Sequence, residues 1–283
     1  MRLLLCIATF LATGLILPGC RTASPPPAAP VRPVRVAVIG GMMMTGLWPQ
    51  VARKFTARTG IEVELVVSGQ RPELARAMRE GSVDLLTMHS GDITTALVAD
   101  GFARNLRPWA RNDLVIVGPP EDPAGVRGLR NGPEAMRRIA QTASNFIDTQ
   151  SIGPREMAHD LWRKAQVQPI GAWVLKDECT DHEVLLNAQR NRAYLIVGRM
   201  PVLFGKLDRG EMEILVEGDP DMRRVYVVME ADPRAVPGAN VDGARRLADF
   251  LLSDEIQQYL AQDPRNQYEA DGVPLFHPVG IGR

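Results

Sequence analysis

Hydrophobic and polar positions alternate between two periods along most of the chain. Val34, Val36, Val38 and Ile39 sit in an apolar run of strand length, broken by Gly40 and Gly41. Leu47, Val51 and Phe55 follow at helical spacing, with Thr45 as the expected N-cap and Gly60 as the stop. The stretch VRVAVIGGMMMTGLWPQVARKFTARTG thus reads as a strand, a glycine loop and a helix, leading into a second strand over residues 61–67. Ser68, Gly69 and Gln70 form the exit loop of that strand. Pro72 and Glu73 open a helix, residues 83–88 make a third strand ending at His89, Ser90 and Gly91, and residues 93–99 make a helix. The βαβαβα order predicts a mostly parallel sheet with helices on both faces. It also sets the three strand ends along one edge, where such sheets bind ligands with loop N–H groups.

A second α/β unit follows. Residues 114–117 read as a strand and residues 118–128 as a turn-rich passage. Helices are expected over 133–141, 153–164 and 182–189, the second opening at Gly153-Pro154, where proline is favoured. Short strands fall at 145–148, 173–175 and 193–197, and one more at 225–229. Two amphipathic helices, 241–252 and 253–260, close the pattern.

Composition alters this picture mainly at the amino terminus. Arg2 precedes an apolar run over residues 3–17, too short for a spanning helix, and LPGC ends at Cys20. Residues 1–20 therefore read as a lipoprotein signal peptide, with Cys20 as the lipid acceptor. Residues 21–33, RTASPPPAAPVRP, form a Pro/Ala-rich tether. The expected location is the cell envelope, at the periplasmic face or outer surface, with membrane contact through a lipid anchor only. Of three cysteines only Cys179 remains in the body, so the fold relies on packing rather than an internal disulfide. Thirty-three basic and thirty-three acidic residues leave a net charge of zero, which argues against a nucleic-acid surface.

Candidate chemistry is sparse. Met42, Met43 and Met44 form a soft cluster, read as space-filling because no Cys or His lies near in sequence. Asp177, Glu178, Asp181, His182 and Glu183 read as a solvated helix start, where acids offset the dipole. Cys179 and His182 share a helical spacing, but helix neighbours seldom supply a nucleophile's base, and no GxSxG, Walker or zinc signature occurs. The chain is expected not to be an enzyme and to need no cofactor or metal. Ser151 and Arg155 near a helix start suit an anion. His89 is a candidate hydrogen-bond donor at its strand end. His159 and His277 are read as structural.

The passages FTARTGIEVELVVSGQ, REGSVDLLTMH, LVADGF, RNDLVIVGPPEDPAGVRG, ILVEGDP and GARRLADFLLSDEIQQYL carry a resemblance. Over residues 34–278 the chain resembles the extracytoplasmic solute-binding proteins of ABC importers, of the tungstate-binding type related to molybdate and phosphate binders. That resemblance implies an α/β, two-lobed periplasmic-binding-protein fold (type II), each lobe a mostly parallel sheet flanked by helices. Two crossover strands are implied near residues 114–117 and 225–228. Lobe I would be 34–116 with 224–283, and lobe II 117–223. The ligand loops depart from the family pattern: the first is GGMMMTG, where only Thr45 keeps a hydroxyl, and the third is TQSIGPREMAH, where Ser151 matches the family serine and Arg155 stands near a missing arginine. The fourth, glycine-rich in the family, is here DECTDHE. The implied function is capture of a small solute, an anion, between the lobes for an ABC permease. The expected contacts are Gly41, Met42, Thr45, Ser68, Gly69, Gln70, His89, Ser151 and Arg155. The alternative is a diverged interaction or sensor lipoprotein on the same fold with no small-molecule ligand.

Overall fold

The computed structural model describes residues 32–177 and 183–280. The signal segment, nearly all of the tether, Cys20, Glu178, Cys179, Asp181 and His182 lie outside them.

Strand β1 (Val34–Ile39) runs straight into a single helical turn, α1 (Gly40–Met44), and then α2 (Leu47–Thr59). The glycine pair expected to form an open loop is therefore helical, and Gly46, at φ 77°, caps α2 in place of Thr45. That left-handed backbone favours glycine. Next come β2 (Val63–Gly69), α3 (Arg71–Arg79), β3 (Leu85–His89) and α4 (Asp92–Ala99). Buried Arg35–Asp84 contacts tie the far end of this unit: Asp84 accepts from the Arg35 guanidinium at 2.6 Å and from the Asn240 N–H at 2.9 Å.

Strand β4 (Ala103–Gly118) is longer than the sequence suggests. Its first part carries charge, Pro108 and two register shifts, which disguise it as a loop. Buried Glu230 explains why it pairs, accepting from Asn105 Nδ2 at 3.0 Å and Arg107 Nη2 at 3.3 Å. The second unit comprises α5 (Gly132–Gln141), β5 (Phe146–Asp148), α6 (Ile152–Ala165), β6 (Val174–Lys176), α7 (Val184–Arg190), β7 (Leu195–Gly198), α8 (Arg199–Leu203) and β8 (Glu213–Val216). The chain returns through β9 (Arg223–Ala231), α9 (Val241–Leu251), α10 (Asp254–Gln262) and the short β10 (His277–Pro278).

The strand order is β10-β4-β9-β3-β1-β2, with β7 and β8 paired to the far end of β4. Only β2-β1-β3 are parallel in this sheet, and β5 with β6 in a second. The expectation of mostly parallel sheets is corrected here: β3 meets β9, and β9 meets β4, antiparallel. The reason is geometric, since β4 carries the chain out of the first unit and β9 brings it back. Asp113 is the last residue of β4 paired to β9, and Leu114 the first paired to β7. The return passage is residues 217–222, earlier than the expected 225–228, which pair in the first unit.

Separate cores accompany the two units. Trp48, Phe55, Trp109, Tyr226 and Phe276 are buried in the first. In the second, Leu114 and Ile116 pack on one face of β4, and Val115 and Val117 on the other, the period of a strand covered on both sides. Phe146 and Trp173 each meet Trp162 edge-on, at 5.1 and 5.8 Å. Buried side chains of this size contribute about 1.5–3 kcal/mol each.

Candidate functional site

The ends of β1, β2 and β3 converge with the start of β9. Ile39 opposes Gly69 in the β1–β2 register, and His89 opposes Tyr226 in β3–β9. The His89 and Tyr226 rings lie 4.3 Å apart, tilted by 35°. A Cβ at Gly41 would stand 3.8 Å from the Tyr226 hydroxyl and 3.7 Å from Met200 Cε, so α1 of the first unit approaches α8 of the second here. The Tyr226 hydroxyl is buried and has no hydrogen-bond partner among the described residues. Burial pushes its phenol up, opposed by Arg224.

Arg224 is the centre of the arrangement. Its guanidinium lies on Gly153 in the first turn of α6, where a Cβ would come within 2.5 Å of Nη2 and closer to Nη1 and Cζ. Nη2 is buried and unpartnered among the described residues. Burial and the neighbouring Arg71 both draw its pKa below the ordinary guanidinium value. Arg71 starts α3 and lies against Gly91, where a Cβ would be 3.1 Å from Nη1. Burial, then Arg224, then Arg71 hold the His89 imidazole well below its usual range, so it is neutral at neutral pH. A cavity of about 250 Å³ opens beside this group, lined by Ser90, Gly153, Glu156, Met157, Asp160 and Arg224 among others. Arg224, with its unpartnered Nη2, and the start of α6 bring donors for a small anion to that cavity, whose wall also carries Glu156 and Asp160. Another hollow of about 230 Å³, between Pro119, Gln189 and Arg192, has no unpartnered buried polar atom among its lining residues.

The residues expected from sequence divide into two groups. Gly41 and His89 stand beside Tyr226, as described. Ser151 is the N-cap of α6 and its side chain makes no capping bond, while its N–H donates to Thr149 Oγ1 at 3.2 Å. Others are engaged elsewhere. Met42 is fully buried in the core. The Thr45 hydroxyl donates to Gly41 O at 3.0 Å, within its own helical turn. The Gln70 N–H donates to Glu73 Oε2 at 3.1 Å, and that carboxylate fills the space over Gly69, next to exposed Ser68. Arg155 is half exposed and faces Asp148 Oδ1 at 3.7 Å, as does His159. Asp177 is buried and accepts from Asn187 Nδ2 at 3.1 Å. Among the described residues no group of three His, Cys, Asp or Glu side chains is placed to hold a metal, and no helix is long and apolar enough to cross a membrane.

Arg71, Arg224 and Tyr226 were not foreseen. Arg71 was hidden at a helix start, read only for its Pro72-Glu73 pattern. Arg223 and Arg224 precede an apolar strand and look like its solvated end.

Comparison with known proteins agrees with this architecture. The family of bacterial extracellular solute-binding proteins matches residues 34–263. The tungstate-binding protein TupA of Peptoclostridium acidaminophilum is 28% identical over 287 residues, covering 98% of both chains. A putative ABC transporter anion-binding protein of Haloferax volcanii is 28% identical over 247 residues, 84% of this chain and 68% of that one. The solved structure of TupA from Desulfovibrio alaskensis G20 superposes with a TM-score of 0.70 at 25% identity, covering 87% of this chain and 98% of the other. The fold is thus the two-lobed, type II periplasmic-binding-protein fold, and the matching family is one of solute-binding proteins rather than enzymes. By its matched length and its architecture, this chain belongs to the bacterial extracellular solute-binding protein family.

Proposed function

We propose that this protein captures a small oxyanion between its two lobes and presents it to an ABC permease. The observation that carries the reading is Arg224: a guanidinium from β9, seated on α6 of the other unit, with a buried N–H group left without a partner. A buried N–H group without a partner is costly unless a ligand completes it. Arg71, His89, the Tyr226 and Ser151 hydroxyls and the Gly41 N–H would supply the remaining contacts. Thr45, Gln70 and Arg155 would contribute only by exchanging the partners they have. The relatives named for tungstate and anion binding support the same class of ligand. The lobes divide close to the expected 34–116 with 224–283 against 117–223, except that residues 114–116 belong with the second lobe, in whose cores their side chains lie. Lipid attachment at Cys20, with residues 21–33 as tether, would hold the binding lobes at the outer face of a membrane; it is supported by the LPGC motif alone.

The test is calorimetric and thermal titration with tungstate, molybdate, sulfate and phosphate. An anion at 100 times its dissociation constant stabilises by about 2.7 kcal/mol, a readily measured rise in Tm. The second reading, a sensor or interaction protein with no small-molecule ligand, is favoured by one observation: the Thr45 hydroxyl and Gln70 N–H are satisfied internally. Absence of any shift across the panel decides for it.

A further inference from the structure

A second bridge joins the two units independently of Arg224. Residues 267–274 fold into a small hairpin: the Tyr268 N–H donates to Val273 O at 3.0 Å, the Gly272 N–H donates to Tyr268 O at 2.8 Å, and Gln267 pairs with Pro274. Gly272 makes the turn at φ 67°, where glycine is favoured. Leu275 and Phe276 anchor the hairpin's base in the core of the first unit. Its tip meets α8 of the second unit, whose Val202 lies in a core of that unit. Asp271 Oδ2 accepts from Arg199 Nη2, the Tyr268 hydroxyl donates to Leu203 O at 3.2 Å, and the Tyr268 ring stands 5.7 Å from that of Phe204. None of these residues is among the anion contacts named above.

Opening the lobes would divide these contacts unequally. Arg199 is buried and also donates to Glu217 Oε2 at 3.0 Å, so on opening it loses Asp271 and keeps Glu217. The Asp271 side chain is already 35% exposed and regains water at once, while its Oδ1 keeps the Val273 N–H at 2.8 Å. Such a pair is strong enough to bias an equilibrium and weak enough to part thermally. We propose that the hairpin and α8 form a latch that holds the lobes together before any ligand arrives, so that both entry and release wait for it to part. The ligand in this scheme rests on the anion-capture reading; the latch itself does not. A gate of this kind has a kinetic signature. Weakening it speeds association and dissociation together, whereas losing a direct ligand contact mainly speeds dissociation.

The experiment uses two variants. Asp271→Asn keeps an oxygen for the Val273 N–H and removes the charge that faces Arg199; Tyr268→Phe keeps the ring against Phe204 and removes the hydroxyl. Small-angle X-ray scattering of the ligand-free proteins is combined with stopped-flow mixing against tungstate, molybdate, sulfate and phosphate. Both variants should have a larger ligand-free radius of gyration than wild type. For each anion that binds, Asp271→Asn should raise both rate constants by about threefold or more, while the dissociation constant moves less. Urea midpoints close to wild type would separate this effect from a general loss of fold. Radii and rates unchanged in both variants overturn the latch, as does faster release with unaltered association. If no anion binds the wild type, the capture reading fails, and the ligand-free radii alone decide for or against the latch.

Discussion

Replacing Gly153 with alanine separates binding from stability. Gly153 is buried in the first turn of α6 and has no left-handed φ, so alanine fits the backbone. The nearest obstacle is Arg224. A new Cβ would stand 2.5 Å from Nη2, whereas ordinary contact begins near 3.4 Å, so this atom must withdraw by 3.4 − 2.5 = 0.9 Å at the least. The obstructing atoms belong to the far end of a flexible side chain, and the fold is not strained by the retreat. Alanine in place of glycine favours a helix by up to about 1 kcal/mol, less in a first turn. The ligand-free protein should therefore be as stable as wild type or slightly more so. Binding should move the opposite way. A charge-assisted hydrogen bond contributes about 1.5–3 kcal/mol, and a displacement near 1 Å forfeits most of it, so affinity should fall roughly 10- to 150-fold. Calorimetry with the best-bound oxyanion, together with urea denaturation of the ligand-free variant, reads both quantities. Undiminished affinity would refute the seat of Arg224 on Gly153 as the anion site.

Arg224→Ala should abolish oxyanion-induced stabilisation within the range titrated, and Arg224→Lys should restore it only partly, because an ammonium lacks the planar fork; a wild-type Tm shift in Arg224→Ala would count against the site. His89 has a folded-state pKa well below 6.5, so below that pH the unfolded chain binds a proton that the folded chain refuses. Stability should then decline by up to about 1.4 kcal/mol per pH unit as pH falls below 6.5, until the folded pKa is reached, and His89→Gln should flatten that part of the profile measured by urea midpoints. Asp113 is buried and accepts from Arg223 Nε at 3.1 Å while meeting His277 Nε2 at 2.6 Å. Asp113→Ala strands both partners and should cost about 3–5 kcal/mol in equilibrium unfolding; a loss under 1 kcal/mol would show that the pair matters little.

The alternation of strand and helix was legible because each element has one dominant period. Val34–Ile39, Leu47–Thr59 and Asp92–Ala99 stand within a residue or two of where the pattern puts them. Strand β4 was not legible before Leu114, since Arg104, Arg107 and Pro108 contradict a strand locally. Its partner Glu230 is more than a hundred residues away, and only the fold brings the charges together. The candidate site was legible only in part, for the same reason. Local reading gave the donors of Thr45 and Gln70 to a ligand, but each finds an internal acceptor within four residues. Arg224 and Tyr226 enter from β9, far in sequence from the strand ends they complete. No local motif marks them, although a paired Arg223-Arg224 before an apolar strand is an unusual place for two charges.

That placement bears on how binding could be coupled to movement. Successive residues of a strand point to opposite sides. Arg223 spends its guanidinium on Asp113, where β4 leaves the first unit for the second, while Arg224 turns to Gly153 and the cavity. A ligand that draws Arg224 toward α6 therefore pulls on the residue next to the ion pair that fixes the crossing strands. Arg199 adds a second connection: it is buried and binds Glu217, on the return passage, and Asp271, in the carboxyl-terminal segment. Tyr268 in that segment also donates to Leu203 O at 3.2 Å. An anion held by Arg224 in contact with both lobes would have more partners in the closed form than in an open one, and that difference is what a ligand needs to shift a conformational equilibrium. An arginine whose side chain reached only its own lobe would bind as strongly at rest yet give the ligand less preference for closure. The start of β9, next to the return passage, is thus a position from which one side chain can contribute both to affinity and to closure.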